Sequence, residues 1–135
     1  MAGYSKTPLR KKLGFEPPLD LVVIDPPEEY LSWLGELPEG VRIRSRVRGE
    51  IPAAHLFVFD RAALERRLPV LRERLRKAGF IWVSWPKRVS KVTTDVTEDV
   101  VRAVALPLGL VDIKVCAVSD VWSGLKLVIR RELRR

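Results

Sequence analysis

The stretch GFIWVSWPKRVSKVTTDVTED, residues 79–99, decides how the rest of the chain is interpreted. Its first part, residues 80–85, is aromatic or β-branched except for one serine. That composition favours a strand that is covered on both faces of a sheet. Pro86 has no N–H to donate, so we expect strand pairing to stop there.

A basic, hydroxyl-rich loop follows this strand. Ligands of open α/β sheets bind beyond the carboxyl ends of strands, so the loop is a candidate binding segment. We expect Asp95 to cap the next helix, with Glu98 reaching back from the third helical position. The alternative is a solvated connection whose charges only keep the protein soluble. The candidate residues of this segment are Trp85, Lys87, Arg88, Thr93, Thr94 and Asp95.

Composition limits the classes of protein. A chain of 135 residues is one domain by size, and its 47% hydrophobic content supports a core. No apolar run approaches the roughly 18 residues of a membrane span, and the first residues lack the apolar middle of a signal peptide. The single Cys116 excludes an internal disulfide and a cysteine-rich metal site. We therefore expect a cytoplasmic protein without a metal.

The balance of charge is strongly basic. The net charge is +8, with 25 basic residues against 17 acidic ones, which favours anionic partners in general. Asparagine and glutamine are absent and arginine outnumbers lysine, a composition typical of thermophile proteins. Part of the charge is therefore attributed to a stabilising surface rather than to a ligand.

Hydrophobic periodicity predicts alternating strands and helices. Pro26 and Pro27 are expected to begin the first of the longer helices, and Asp60 is expected to cap the next. His55, near the amino end of its strand, is interpreted as a structural histidine rather than a catalytic base. The predicted strands are residues 19–24, 41–48, 53–59, 80–85, 110–118 and 121–130, and the predicted helices are 28–37, 61–77 and 96–106.

The second of these strands alternates between apolar residues and arginines. A period of two places four arginines on one face, which we assign to a sheet edge. Protection of that edge against aggregation is the preferred interpretation, although guanidinium groups at this spacing also suit a phosphate chain. The arginines are Arg42, Arg44, Arg46 and Arg48.

The order of elements predicts a three-layer α/β sandwich with a mostly parallel, Rossmann-like sheet. A short link joins the last two strands, so they are expected to form an antiparallel hairpin. This pattern resembles a shortened class I methyltransferase scaffold, which implies about six strands in the order 2-1-3-4-6-5. We expect a basic arm and short helix over residues 1–18, a single domain over 19–130 and a basic tail over 131–135. The short helix should be capped by Thr7 and begin at Pro8, and the tail should be frayed.

The resemblance to methyltransferases does not extend to the cofactor anchors. That family has a glycine-rich turn after its first strand, where this chain has Asp25-Pro26-Pro27. Prolines also remove amide donors from such a turn. The family has an acid at the end of its second strand, where this chain offers Ser45 and Arg46. Asp25 is a weak substitute, and the sequence identifies no cofactor.

The chain also resembles a family of short bacterial proteins that form a domain of unknown function. The resemblance implies no activity. It is carried by motifs at Gly3–Gly14, Trp82–Lys87, Thr94–Asp99, Gly109–Val118 and Trp122–Lys126.

These segments are expected to converge on one rim of the sheet. Trp85, Lys87, Asp120, Trp122 and Ser123 would then share one face, with the tryptophans either as stacking platforms or as core.

The segment formed by Tyr4, Ser5 and Lys6 is expected to fold over this rim. Three hypotheses follow. The first is a non-catalytic or regulatory binder of a small anionic or nucleotide-like ligand. The second is a transferase that uses S-adenosylmethionine in an atypical site, and the third is a nucleic-acid-binding or homo-oligomeric assembly protein that uses its arginines.

Overall fold

The computed structural model describes residues 7–134 of the chain. Tyr4, Ser5 and Lys6, predicted to cover the rim of the sheet, lie outside the described residues. The strands are β1 Leu19–Ile24, β2 Val41–Arg44, β3 Ile51–Phe57, β4 Leu75–Pro86, β5 Leu110–Ala117 and β6 Trp122–Ile129. The helices are α1 Leu9–Lys12, α2 Tyr30–Leu34, α3 Arg61–Arg74 and α4 Glu98–Ala105.

The six strands form one sheet in the order β2-β1-β3-β4-β6-β5. Strand β1 pairs in parallel with both β2 and β3, and β3 pairs in parallel with β4. Strand β6 pairs antiparallel with both β4 and β5. Pro86 still pairs with Trp122, one residue beyond the predicted end of the strand. The three-layer sandwich, the strand order and the terminal hairpin are therefore confirmed.

Helices cover both faces of the sheet. Apolar residues of α3 and α4, such as Leu68 and Val101, pack on one face together with Trp85. Tyr30 and Leu34 of α2 pack on the other face, together with Trp82 and Trp122. Burial of these apolar side chains on both faces supplies most of the stabilisation of such a sandwich.

Two elements near the carboxyl end of β1 are shorter than predicted. Helix α2 covers only Tyr30–Leu34, because Pro26 and Pro27 keep the preceding turn out of the helix and Gly35 ends it with φ of 71°. Strand β2 stops at Arg44, which lies opposite Val22, although β1 continues for two more residues to Ile24. Residues 45–48 therefore leave the sheet before β1 itself ends, and the positive φ of Asp25, 54°, comes only after that point.

The chain termini also differ from the prediction. Pro8 rather than Thr7 is the N-cap of α1, and Leu9 is its first residue. The tail is not simply frayed, because Arg131–Leu133 form a short 3₁₀ helix. The side chain of Leu133 lies over Gly109, where it would clash with an added Cβ atom. Within the described residues, no helix is long and apolar enough to cross a membrane.

Candidate functional site

The segments that follow the carboxyl ends of β1 and β2 form a basic cavity at this edge of the sheet. The cavity has a volume of about 800 Å³, within the usual range for small-molecule sites. We call it the arginine pocket. Its lining residues are Val23, Pro26, Pro27, Glu28, Tyr30, Leu31, Ile43, Arg44, Ser45, Arg46 and Arg48.

Apolar residues form the floor of the arginine pocket and arginines form its rim. Arg46 and Arg48 are exposed, and neither makes an ion pair within residues 7–134. The Nε atom of Arg44 lies 3.7 Å from the carboxylate of Asp20, and one of its terminal nitrogens donates to the backbone carbonyl of Arg48 at 3.3 Å. Glu28 is the single carboxylate that lines the pocket. The pocket therefore carries a positive potential beside an apolar surface.

A buried hydrogen-bond network lies beneath the arginine pocket. The Tyr30 hydroxyl is 2.9 Å from Nδ1 of His55, and Nε2 of His55 is 2.8 Å from the Ser84 hydroxyl. Burial lowers the pKa of His55 to about 3 and raises that of Tyr30, so both are neutral at ordinary pH. A neutral imidazole donates one of these bonds and accepts the other. His55 is thus a satisfied structural histidine, as interpreted from the sequence.

The second cavity is lined by residues of the segment 79–99 together with Ser123. It has a volume of about 580 Å³, and we call it the loop pocket. Its lining residues are Trp85, Pro86, Lys87, Arg88, Lys91, Val92, Thr93, Thr94, Asp95, Val96, Thr97, Glu98 and Ser123. The structure thus brings together seven of the predicted site residues, namely Trp85, Lys87, Arg88, Thr93, Thr94, Asp95 and Ser123.

Several polar residues of the loop pocket hold the backbone. The Thr94 hydroxyl donates to the carbonyl of Phe59 at 2.6 Å, and Asp95 accepts from the amide of Arg61 at 2.7 Å. The predicted cap is therefore wrong. Because the Asp95 carboxylate is engaged by α3, the N-cap of α4 is Thr97, whose hydroxyl accepts from the amide of Val100.

The predicted shared face of the two tryptophans is also wrong. Trp85 pairs with Ser123 and packs with α3 and α4, whereas Trp122 packs on the opposite face. Adjacent residues of a strand point to opposite faces of the sheet. Because Ser123 pairs with Trp85, its neighbour Trp122 points to the face opposite that of Trp85. Both side chains are buried, with 6% and 5% exposure, so they are core rather than stacking platforms. The rim itself forms as expected, since the amide of Lys87 donates to the carbonyl of Val121 at 2.7 Å.

The remaining candidates lie apart from both cavities. Asp25 follows β1, is well exposed, and pairs with Arg67 at 3.2 Å. Asp120 lies in the turn between β5 and β6, and does not line the loop pocket.

The four arginines of the β2 segment do not share one face. Arg42 lies toward the amino edge, beside Pro18 and Pro52, while the other three line the arginine pocket. The alternation fails after Arg44, because Ile43 and Val47 pack against opposite faces of the sheet.

No cluster of metal ligands occurs within residues 7–134, in the sense of three or more histidine, cysteine, aspartate or glutamate side chains. Burial raises the pKa of the Cys116 thiol, which keeps it protonated at neutral pH.

Comparison with known proteins supports the fold alone. No protein-family model and no curated protein matches the sequence. Solved structures match over 90–93% of this chain, and three of them illustrate the likeness.

The first is a ribosomal protein L11 methylase from Lactobacillus delbrueckii subsp. bulgaricus, with 11% identity, a TM-score of 0.55 and 76% of its own chain covered. The second is a magnesium protoporphyrin IX methyltransferase from Synechocystis PCC 6803 with bound SAM, with 9% identity, a TM-score of 0.59 and 74% covered. The third is a SAM-dependent methyltransferase from Clostridium acetobutylicum ATCC 824, with 8% identity, a TM-score of 0.56 and 88% covered. The chain therefore has a methyltransferase-like fold.

The residues of the arginine pocket do not fit S-adenosylmethionine, the cofactor that this fold implies. Pro26 and Pro27 line the pocket where a glycine-rich turn would present amides. Ser45 and Arg46 follow β2 where an acid would hold ribose hydroxyls. The cofactor is a cation at its sulfonium, and the arginine rim would repel it.

The sequence interpretation named the arginines of β2 but not the pocket that three of them line. Protection of an edge strand was the preferred interpretation, and binding of an anion was the alternative. The signal was nevertheless present, because residues that follow β2 and the turn after β1 lie at the same carboxyl edge of a parallel sheet.

Proposed function

We propose that the protein binds a small phosphorylated, nucleotide-like ligand in the arginine pocket. The observation that carries this proposal is a cavity of about 800 Å³ with an apolar floor and three arginines on its rim. A planar ring suits the surface of Pro26, Leu31 and Ile43, and guanidinium groups bind phosphate through paired hydrogen bonds.

The position of the arginines favours a phosphate near the ribose. In dinucleotide-binding sheets, an arginine near the end of the second strand accommodates the 2′-phosphate of NADP, and an acid there accepts the ribose hydroxyl of NAD. Arg44 and Arg46 occupy this place in the present chain. Because Pro26 and Pro27 also remove the backbone amides that would hold a pyrophosphate, the arginines must supply the binding energy. We therefore expect a nucleotide that carries a ribose phosphate to bind more tightly than one that lacks it.

A thermal-shift series tests the proposal with adenosine, AMP, ATP, NAD⁺ and NADP⁺. We expect stabilisation by the phosphorylated compounds, largest for NADP⁺, and none by adenosine. The Arg46→Gln/Arg48→Gln variant should lose at least about tenfold in affinity, as expected for two charge-assisted contacts.

The matched control is Arg131→Gln/Arg134→Gln, which removes two exposed cations that line neither pocket. It should keep the affinity of the wild-type protein. Equal losses in both double variants would indicate a response to net charge and would contradict a ligand site in the arginine pocket.

A second candidate function is a SAM-dependent transferase, which the methyltransferase-like fold favours. The pocket chemistry opposes it, so we expect no heat of binding with S-adenosylmethionine in calorimetry. Saturable heat that is abolished by Glu28→Gln, the one carboxylate of the pocket, would support this candidate over the first.

A further inference from the structure

The loop pocket carries cations that no carboxylate neutralises. Lys87, Arg88 and Lys91 line it, and none of them makes an ion pair within residues 7–134. Such a cavity attracts an anion, since like charges held together are stabilised by a counter-charge between them.

Both carboxylates that line the loop pocket are already engaged. Asp95 accepts the amide of Arg61 at 2.7 Å, and Glu98 pairs with Arg102 at 2.7 Å. They are therefore committed to the ends of α3 and α4 rather than to the lysines. The local balance in the cavity stays positive.

The loop that presents the cations is held in place by its own hydrogen bonds. The Ser90 hydroxyl donates to the carbonyl of Lys87 at 2.6 Å, and the amide of Val92 donates to the Ser90 hydroxyl at 3.2 Å. Thr94 ties the far end of the loop to Phe59. A loop ordered in advance loses less entropy when it binds a ligand.

The loop pocket and the arginine pocket belong to different sides of the sheet. Trp85 and Val96 of the loop pocket pack with α3 and α4. Val23, Ile43 and Tyr30 of the arginine pocket pack in the cluster on the opposite face. Substitution of a side chain that lines one cavity therefore leaves the lining of the other cavity intact.

We propose that the loop pocket is a second site, which binds the phosphate group of a small molecule independently of the arginine pocket. Three cations match the charge of a phosphate monoester or a pyrophosphate. The hydroxyls of Thr93, Thr97 and Ser123 line the same cavity and are suited to hydrogen-bond phosphate oxygens. Inorganic phosphate and a phosphorylated metabolite share this chemistry.

The test is a titration of the backbone amide NMR spectrum with pyrophosphate, followed by inorganic phosphate and a sugar phosphate. We expect saturable shifts at residues 87–98. Tighter binding of the sugar phosphate than of both inorganic ions would identify a metabolite as the source of the group, and the reverse order would identify the inorganic ion.

The decisive variants are Lys87→Gln/Arg88→Gln/Lys91→Gln and, as matched control, Arg46→Gln/Arg48→Gln. The triple variant should lose at least about tenfold in pyrophosphate affinity, and the control should lose none at residues 87–98. Lys91→Gln alone, at an exposed position, should lose severalfold and guards against a folding defect in the triple variant. Unchanged affinity in all of these variants, or shifts centred on residues 44–48, would overturn the second site. Failure of nucleotide binding in the arginine pocket would leave this result unaffected.

Discussion

The arginine pocket and the loop pocket lie at the same edge of the sheet but are built differently. The first has an apolar floor that rests on the Tyr30–His55–Ser84 network. Its arginines lie at the end of the short edge strand β2 and in the segment that follows it. The second rests on Trp85, and its cations come from a loop fixed by side-chain hydrogen bonds. The difference suggests that the first suits a ring with a phosphate and the second suits a compact anion.

The largest expected effect is the loss of unfolding free energy when the residue beneath each pocket is substituted. Trp85→Ala removes a large, almost fully buried side chain and should cost about 3–5 kcal/mol. Tyr30→Phe keeps the ring but leaves His55 with one unpaired nitrogen, so it should cost only about 1–3 kcal/mol. Urea unfolding of both variants measures the difference. An equal or larger loss for Tyr30→Phe would show that the network, not the tryptophan, is the stronger support.

The next effect concerns pH and belongs to the arginine pocket alone. The unfolded chain binds a proton at His55 with a pKa of 6.5, whereas the folded chain does so only at about 3. Between these values the unfolded state binds more protons, so stability should fall by about 1.4 kcal/mol for each unit by which the pH is lowered. Urea unfolding at several pH values in this window provides the measurement.

The matched control for the pH effect is His55→Gln, which keeps a donor and an acceptor but does not titrate. Its stability should depend less steeply on pH than that of the wild-type protein. Parallel slopes for the two proteins would assign the acid sensitivity to other groups and remove the role given to His55.

The smallest expected effects concern two residues of the loop pocket, the helix cap Thr97 and the acidic Asp95. Thr97→Ala removes the observed cap of α4 and should cost about 1 kcal/mol. Asp95→Asn keeps an oxygen for the Arg61 amide but removes a negative charge, so pyrophosphate affinity should rise by up to about fivefold. Calorimetry and thermal unfolding measure these changes. A weaker affinity in Asp95→Asn would mean that the carboxylate itself contacts the ligand.

Most of the fold could be predicted from local patterns. The buried strand at residues 80–85, the helix capped by Asp60 and the short link before Trp122 are features of adjacent residues, and all three are present. The predicted boundary between helix and strand is wrong, because α3 ends at Arg74 rather than at residue 77 and β4 begins at Leu75 rather than at residue 80. The gathering of Lys87, Thr94 and Ser123 into one cavity follows from strand order, which the pattern also predicted.

What could not be predicted depends on contacts between distant residues. The cap of α4 moved to Thr97 because Asp95 is bound by Arg61, thirty-four positions earlier. Strand β2 ended at Arg44 although β1 continues to Ile24, and an alternating pattern of residues cannot reveal where pairing stops. The cavity that these arginines line was not predicted for the same reason, since Arg46 and Arg48 lie beyond the end of the strand.

Calorimetric titration of the wild-type protein with NADP⁺, NAD⁺ and S-adenosylmethionine tests the central claim most directly. The arginine pocket predicts saturable heat with NADP⁺, at least about tenfold weaker binding of NAD⁺, and no heat with S-adenosylmethionine. Tight binding of S-adenosylmethionine, with neither dinucleotide bound, would contradict the claim that this methyltransferase-like fold has become a site for anions.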